Sequence, residues 1–124
     1  MMKILAIDDE KIAMEGLVRA IKEVEPESQV YGFQKASQAL EFYKGTPCEV
    51  VFLDIQMRNM NGVELAKKIK MINPTVNIIF ATGYGDYREI AFDMHASGYL
   101  IKPITPQKIQ KELNDLRVSG GNSR

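Results

Sequence analysis

The chain has 124 residues, enough for one domain with its own core, and its 16 lysines and arginines balance 16 aspartates and glutamates, leaving no basic field for nucleic acid. Its single cysteine, Cys48, excludes an internal disulfide, and no apolar run approaches the roughly 20 residues that a membrane span needs. A strand-like run follows Met1-Met2-Lys3 directly and leaves no room for a signal peptide, so we expect a cytoplasmic protein without membrane or direct nucleic-acid contact.

Apolar periodicity divides the chain into alternating strands and helices. Short continuous apolar runs are typical of buried strands, and a stripe at 3.6-residue spacing is typical of amphipathic helices. In chain order the predicted elements are strand 4–7, helix 13–24, strand 30–33, helix 36–43, strand 50–53, helix 63–72, strand 76–81, helix 86–96, strand 99–101 and a helix from 106 to about 116.

The last two helices carry terminal signals. Asp86 followed by Glu89 predicts a capping box for the fourth helix, with Gly98 as its stop. The single histidine, His95, is then expected near the helix end as a cation or partly buried partner, and not as a phosphodonor. Thr105 before Pro106 predicts an N-cap for the fifth helix.

Five strand and helix units in succession predict an α/β fold with a doubly wound, five-stranded parallel sheet and helices on both faces. The glycine-containing strand 30–33 is expected at an edge of the sheet. We place one domain at residues 1–118. Residues 119–124, Ser-Gly-Gly-Asn-Ser-Arg, have no apolar side chain to bury and predict a disordered tail or the start of a linker.

Polar side chains follow four of the strands. They are Asp8 and Asp9 after the first strand, Asp54 after the third, Thr82 after the fourth and Lys102 after the fifth. Because ligands of such sheets bind outside the carboxyl ends of the strands, we expect these side chains to share one site. Three carboxylates need a cation between them, and oxygen ligands suit Mg²⁺. Asp54, between the other acids and the lysine, is placed to be a covalent phosphoryl acceptor.

The motifs together resemble the receiver domain of bacterial two-component response regulators over residues 3–116. The resemblance rests on Asp8-Asp9, on Asp54 in Asp-Ile-Gln-Met-x-x-Met-Asn-Gly, on Thr82-Gly83, on Tyr99 and on Lys102-Pro103. It implies a flavodoxin-like sheet with strand order 2-1-3-4-5 and a cis peptide bond before Pro103. The later motifs look most like those of transcriptional regulators, with an output domain attached after the receiver.

The resemblance also implies roles for individual residues. Asp54 would accept a phosphoryl group from a histidine kinase, with Lys102 and Thr82 contacting the phosphoryl oxygens. Mg²⁺ would be held by Asp9, Asp54 and the main-chain carbonyl of Gln56, with help from Asp8. Thr82 and Tyr99 would form the switch that reshapes the face of the fourth helix, fifth strand and fifth helix, to which an output domain, an effector protein or a second copy would respond.

Arg58 departs from the family pattern, which commonly has proline there, and we expect a more mobile loop with the chemistry intact. Gln56 and Tyr84 match positions that vary among receivers and modulate the lifetime of the phosphoryl group.

Three alternatives stay open. A Mg²⁺-dependent phosphohydrolase with an aspartyl nucleophile typically has a second acid where this chain has Gln56. A flavin or nucleotide binder would need a glycine-rich or hydroxyl-rich loop after the first strand, where Asp8-Asp9-Glu10 would repel phosphate. A stand-alone receiver acting through protein contacts has no distinguishing sequence signal.

Overall fold

A computed structural model describes residues 2–58, 60–83 and 85–122, and their side chains as far as residue 116. The elements are β1 (Lys3–Ile7), α1 (Lys11–Val24), β2 (Gln29–Phe33), α2 (Ala36–Gly45), β3 (Val50–Leu53), α3 (Gly62–Ile72), β4 (Asn77–Thr82), α4 (Arg88–Asp93), β5 (Gly98–Ile101) and α5 (Pro106–Asn122). None of the helices in these ranges has both the length and the apolar character needed to cross a bilayer.

The five strands form one sheet in the order β2-β1-β3-β4-β5, and every neighbouring pair is parallel. The predicted fold class and strand order are confirmed, as is the edge position of the glycine-containing strand β2. Because the strands are parallel, the carboxyl ends of β1, β3, β4 and β5 all lie at one edge of the sheet. The residues that follow these strands are thereby brought to the same rim.

The core has two layers, one on each face of the sheet, because alternate residues of a strand point to opposite faces. Leu5 and Leu53 face α2, α3 and α4, and Ala6 and Phe52 face α1 and α5. All four residues of β3 are buried. Burial on both faces explains why the strand appears in the sequence as a continuous apolar run instead of an alternating one.

The fourth helix is shorter than the sequence predicted. It spans Arg88–Asp93, its N-cap is Tyr87 without a side-chain hydrogen bond, and Gly98 is already the first residue of β5. The helix ends early because His95 takes φ 61°, so that its N–H donates to the Phe92 carbonyl at 3.0 Å and the Ala96 N–H donates to the Ala91 carbonyl at 3.0 Å. This is a Schellman ending, with His95 in the left-handed position that glycine usually takes.

The fifth helix begins as predicted and ends later. The Lys108 N–H donates to Thr105 Oγ1 at 3.3 Å, which confirms the N-cap, and the helix continues to Asn122. The sequence predicted a disordered tail from residue 119, since the apolar stripe ends at Leu116. Residues 119–122 instead continue the backbone hydrogen bonding of the helix, and residues 123 and 124 lie outside the described residues.

Candidate functional site

Three polar side chains are buried at the rim where the parallel strands end. Asp8 is 2% exposed, Asp54 7% and Thr82 0%, and these are the buried polar residues among those whose burial the structure describes. Burying a carboxylate is costly unless it is paired, so their presence together requires a cation or a ligand. The strand ends that the sequence identified therefore do meet in one site.

Lys102 supplies that cation. Its Nζ donates to Asp8 Oδ2 and to Asp54 Oδ2, both at 2.8 Å, and thereby bridges the first and third strands. The Lys102 N–H donates to the Thr82 carbonyl at 2.8 Å, and the predicted cis bond between Lys102 and Pro103 is present. Burial by itself would lower the pKa of Lys102, but the hydrogen bonds and charges of Asp54 and Asp8 raise it above its usual value.

Each buried carboxylate also accepts a hydrogen bond from its own loop. The Glu10 N–H donates to Asp8 Oδ1 at 3.0 Å, and the Gln56 N–H donates to Asp54 Oδ1 at 3.3 Å. Burial raises the pKa of Asp8 above its usual value, although the hydrogen bonds from Lys102 and Glu10 act in the opposite direction. Two acids share one lysine, so the cluster keeps a net charge of about −1 when both are ionised.

Thr82 has an unsatisfied hydroxyl. Its Oγ1 is buried at the end of β4 and has no hydrogen-bond partner among the described atoms. Buried polar atoms are rarely left without a partner, and the exceptions call for a functional explanation such as a ligand.

The three acids that the sequence placed together are divided between two cations. Asp8 and Asp54 contact Lys102, whereas Asp9 Oδ2 accepts the backbone N–H of Arg58 at 3.0 Å and its Nε at 3.3 Å. In the part of the chain that the structure describes, no group of three or more His, Cys, Asp or Glu side chains is arranged to hold a metal ion. Two of the acids pair with Lys102 and the third with Arg58.

An open cavity of about 660 Å³ is nevertheless lined by three of the four predicted ligands, Asp9, Asp54 and Gln56, and not by Asp8. Its lining includes Asp9, Asp54, Gln56, Arg58 and Lys102. The carboxylates of Asp9 and Asp54 and the main-chain carbonyl of Gln56 offer oxygen ligands, which Mg²⁺ prefers, and Mg²⁺ needs few of them because it retains water molecules. The residues present at this cavity therefore fit a magnesium ion.

Tyr99 is half-buried beside the rim. Its ring centroid lies 6.3 Å from that of Phe80, and the Arg88 guanidinium carbon lies 5.3 Å from the Tyr99 ring centroid. Burial raises the pKa of Tyr99, against the effects of a hydrogen bond with the Tyr87 backbone and of the Arg88 charge. Tyr99 lies on β5, the strand next to the one that carries Thr82, and its ring is held by residues at the start of α4.

Two contacts of the loop after Asp54 were missed by the sequence analysis. Gln56 Nε2 donates to the Tyr87 hydroxyl at 2.7 Å, and Arg58 pairs with Asp9 as described above. Both join residues far apart in the chain, so no local pattern indicates them. The only sequence signal was the departure from proline at Arg58. Tyr84, the other predicted modulating residue, lies outside the described residues.

Replacing Asp8 with asparagine is expected to stabilise the domain at neutral pH by about 1 kcal/mol, because it removes one of two buried charges that share Lys102. The pKa of Asp8 is raised in the folded state. The destabilisation by its negative charge therefore appears as the pH rises through the usual pKa of 3.8 and is complete above the raised pKa of the folded state. Urea unfolding of Asp8→Asn and the parent should therefore differ at neutral pH and converge below pH 3.8. Destabilisation at neutral pH would contradict this account.

Curated relatives of the chain are transcriptional and sensory regulators. The transcriptional regulatory protein LytR of Staphylococcus aureus is 30% identical over 118 residues, a match that covers 95% of this chain and 48% of LytR. The sensory transduction protein LytT of Bacillus subtilis is 30% identical over 113 residues, covering 91% of this chain and 47% of LytT. The chain spans about half the length of the curated relatives that it matches.

Solved structures with the same fold include receiver domains and response regulators. A response regulator receiver domain protein from Clostridium thermocellum has a TM-score of 0.86 and 25% identity, and the match covers 100% of both chains. The response regulator TrrA from Thermotoga maritima, solved in complex with Mg²⁺-BeF, has a TM-score of 0.82 and 26% identity over 94% of this chain and 99% of that chain.

The sequence model of the response regulator receiver domain matches residues 4–114, which is most of the chain and includes every rim residue described above. The chain therefore belongs to the receiver domains of two-component response regulators.

Proposed function

We propose that Asp54 is the phosphoryl acceptor of this receiver domain and that the reaction depends on Mg²⁺. A carboxylate oxygen of Asp54 would attack the phosphorus of a phosphodonor. The bond between phosphorus and the donor atom would then break, with its electron pair leaving on the donor, to give an acyl phosphate. The observation that carries this proposal is the buried Asp54 carboxylate, held by Lys102 beside the unpaired Thr82 hydroxyl.

Lys102 and Thr82 are the other residues that would act on the phosphoryl group. Preorganised donors stabilise charge that develops during transfer because they need no reorganisation at that moment. The Nζ of Lys102 would pair with a phosphoryl oxygen, and Thr82 would donate its hydroxyl to another. Mg²⁺, held by Asp9, Asp54 and the Gln56 carbonyl with help from Asp8, would neutralise negative charge on the phosphoryl group.

The signal would pass through Thr82 and Tyr99. A phosphoryl group adds about 1.5 to 2 negative charges at neutral pH, enough to draw the Thr82 hydroxyl toward it through a charge-assisted hydrogen bond. Tyr99 would then move toward the space beside Thr82. Its contacts with Phe80 and Arg88 would transmit that motion to the face formed by α4, β5 and α5.

The partners follow from this chemistry and from the relatives. A histidine kinase would donate the phosphoryl group, and the switched face would control an output domain, an effector protein or dimerisation with a second copy. The similarity to regulators about twice as long supports an output domain after a receiver at residues 1–118, with transcription as the regulated process. The chain would be a regulatory domain in the cytoplasm. Its only catalysis would be transfer of a phosphoryl group to its own aspartate and hydrolysis of the acyl phosphate that forms.

The test is phosphorylation by a small-molecule acyl phosphate, with and without Mg²⁺, followed by intact-mass measurement. The parent chain is expected to gain one phosphoryl group only with Mg²⁺ and to lose it in alkali. Asp54→Asn should gain none, because the amide oxygen is a far weaker nucleophile than the carboxylate.

Asp115→Asn is a matched control, since it makes the same chemical change on an exposed carboxylate that pairs with Lys111. It should be labelled like the parent. Labelling of Asp54→Asn to the parent's extent would place the acceptor elsewhere and overturn the proposal.

A further inference from the structure

Arg58 lines the rim cavity and pairs there with Asp9. Its backbone N–H and its guanidinium Nε both donate to the same oxygen, Asp9 Oδ2, at 3.0 and 3.3 Å. Asp9 is a carboxylate that the proposed function assigns to Mg²⁺, and Arg58 lines the same cavity as Asp54 and Gln56. Asp9 Oδ2 thus accepts two hydrogen bonds, both from Arg58.

The environment of this pair makes it displaceable. The Arg58 side chain is 80% exposed and that of Asp9 19%, so solvent screens the attraction and a divalent ion has access to Asp9. Lys102 is more deeply buried and pairs with two carboxylates, Asp8 and Asp54. It is therefore the harder cation to displace.

We propose that Arg58 is an internal competitor for the divalent cation, setting the Mg²⁺ concentration at which the site fills. This inference rests on the proposed function, because it assumes that Mg²⁺ uses Asp9. The guanidinium and the ion would share one carboxylate, so the attraction of Asp9 for Mg²⁺ is reduced by the pairing with Arg58, and the unit charge of Arg58 opposes a second positive charge in the cavity. A proline at this position would provide neither the guanidinium nor the N–H.

The proposal is tested by titrating Mg²⁺ into the unphosphorylated chain and following backbone amide NMR shifts, which needs no phosphotransfer. Arg58→Gln keeps the N–H and removes the guanidinium, and it should bind Mg²⁺ roughly threefold to tenfold more tightly, the scale of one exposed ion pair plus one nearby charge. Arg58→Lys, which keeps the charge, should lie between Arg58→Gln and the parent.

Lys67→Gln on the exposed side of α3 is the matched control, because it removes the same unit charge away from Asp9. It should bind Mg²⁺ as the parent does. In an Asp9→Asn background, Arg58→Gln should tighten Mg²⁺ binding less than it does in the parent, since the carboxylate for which the two cations compete is gone and only the repulsion by the nearby charge is relieved.

The outcomes separate the two claims. Equal dissociation constants for the parent and Arg58→Gln, with both binding Mg²⁺, would overturn the competition and leave the proposed function in place. Equal tightening by Lys67→Gln would also overturn it, because the effect would then be one of net charge. Absence of saturable binding in the parent would instead contradict the magnesium part of the proposed function.

Discussion

Replacing Lys102 with methionine is expected to slow phosphoryl transfer to Asp54 by about 100-fold to 1,000-fold, the range found when one preorganised charge-stabilising donor is removed. Methionine keeps much of the length and apolar surface of the lysine stem and removes only the ammonium group. In the proposed function, Nζ, now 2.8 Å from an Asp54 oxygen, would pair with a phosphoryl oxygen, and methionine removes that charge. The rate is read from intact mass against time with a small-molecule phosphodonor and Mg²⁺.

The same substitution should destabilise the fold by about 2 to 3 kcal/mol, because two nearly buried carboxylates lose the cation between them. Since the pKa of Lys102 is raised in the folded state, the stabilisation by its charge is fully present below its usual value of 10.5 and is lost only as the pH rises through the raised one. At acid pH, where Asp8 with its raised pKa is protonated, the difference between variant and parent should shrink.

Lys111→Met is the control for both effects. It removes an ammonium group that is paired with a carboxylate on an exposed helix face, so transfer rate and urea midpoint should stay at the parent values. A Lys102→Met protein that is phosphorylated at the parent rate would show that Lys102 is a structural counter-ion alone. A Lys102→Met protein as stable as the parent would show that the two carboxylates are solvated well enough without the lysine.

The strands and the rim were predictable from the sequence because each depends on a local signal that the parallel sheet then enforces. An apolar run such as residues 50–53 has no alternative to burial on both faces, and the register of β3 with β1 and β4 carries Asp54 to the edge beside Asp8 and Thr82. Chain-local patterns and one topology rule therefore suffice to assemble most of the site.

The end of α4 was not predictable in the same way. The sequence predicted a helix to about residue 96 with Gly98 as its stop, because glycine is the usual residue in the left-handed position. The structure places His95 there instead, at a strain cost that the two closing hydrogen bonds to Phe92 and Ala91 offset. Propensity names the residue that fits a conformation best, whereas tertiary packing decides which residue must adopt it.

Nor could the pairing of Asp9 with Arg58 be predicted, for a different reason. The two residues are 49 positions apart, and a salt bridge between partly exposed side chains leaves no periodic or compositional trace in either segment. Charge counting at the rim predicted one cation between three acids, with Mg²⁺ as the suited ion, whereas in the structure Asp8 and Asp54 pair with Lys102 and Asp9 pairs with Arg58. It did not indicate how Lys102 and Arg58 divide those acids between them.

Gly62→Ala is expected to cost about 3 kcal/mol or more and to slow phosphorylation of Asp54 by about 100-fold, because the added methyl has no space. A Cβ at Gly62 would overlap the Asp54 carbonyl oxygen and lie 2.8 Å from both the Asp54 carbonyl carbon and the Ile55 Cα. These are backbone atoms, so no rotamer change relieves the contact. The Gly62 N–H also donates to the Ile55 carbonyl at 2.7 Å, which fixes the approach of α3 to the acceptor loop.

Two other glycines separate this steric effect from a general effect of the Gly→Ala change. A Cβ at Gly45 would have no atom within 4 Å, so Gly45→Ala should leave stability within about 0.5 kcal/mol of the parent. At Gly98 the Cβ would meet the carboxylate of Glu112, which is the far end of a flexible side chain and can turn away, so an intermediate loss is expected. Urea unfolding ranks the three variants. If Gly62→Ala unfolded no more easily than Gly98→Ala, α3 would be free to shift, and the position of Asp54 would not depend on the close contact at Gly62.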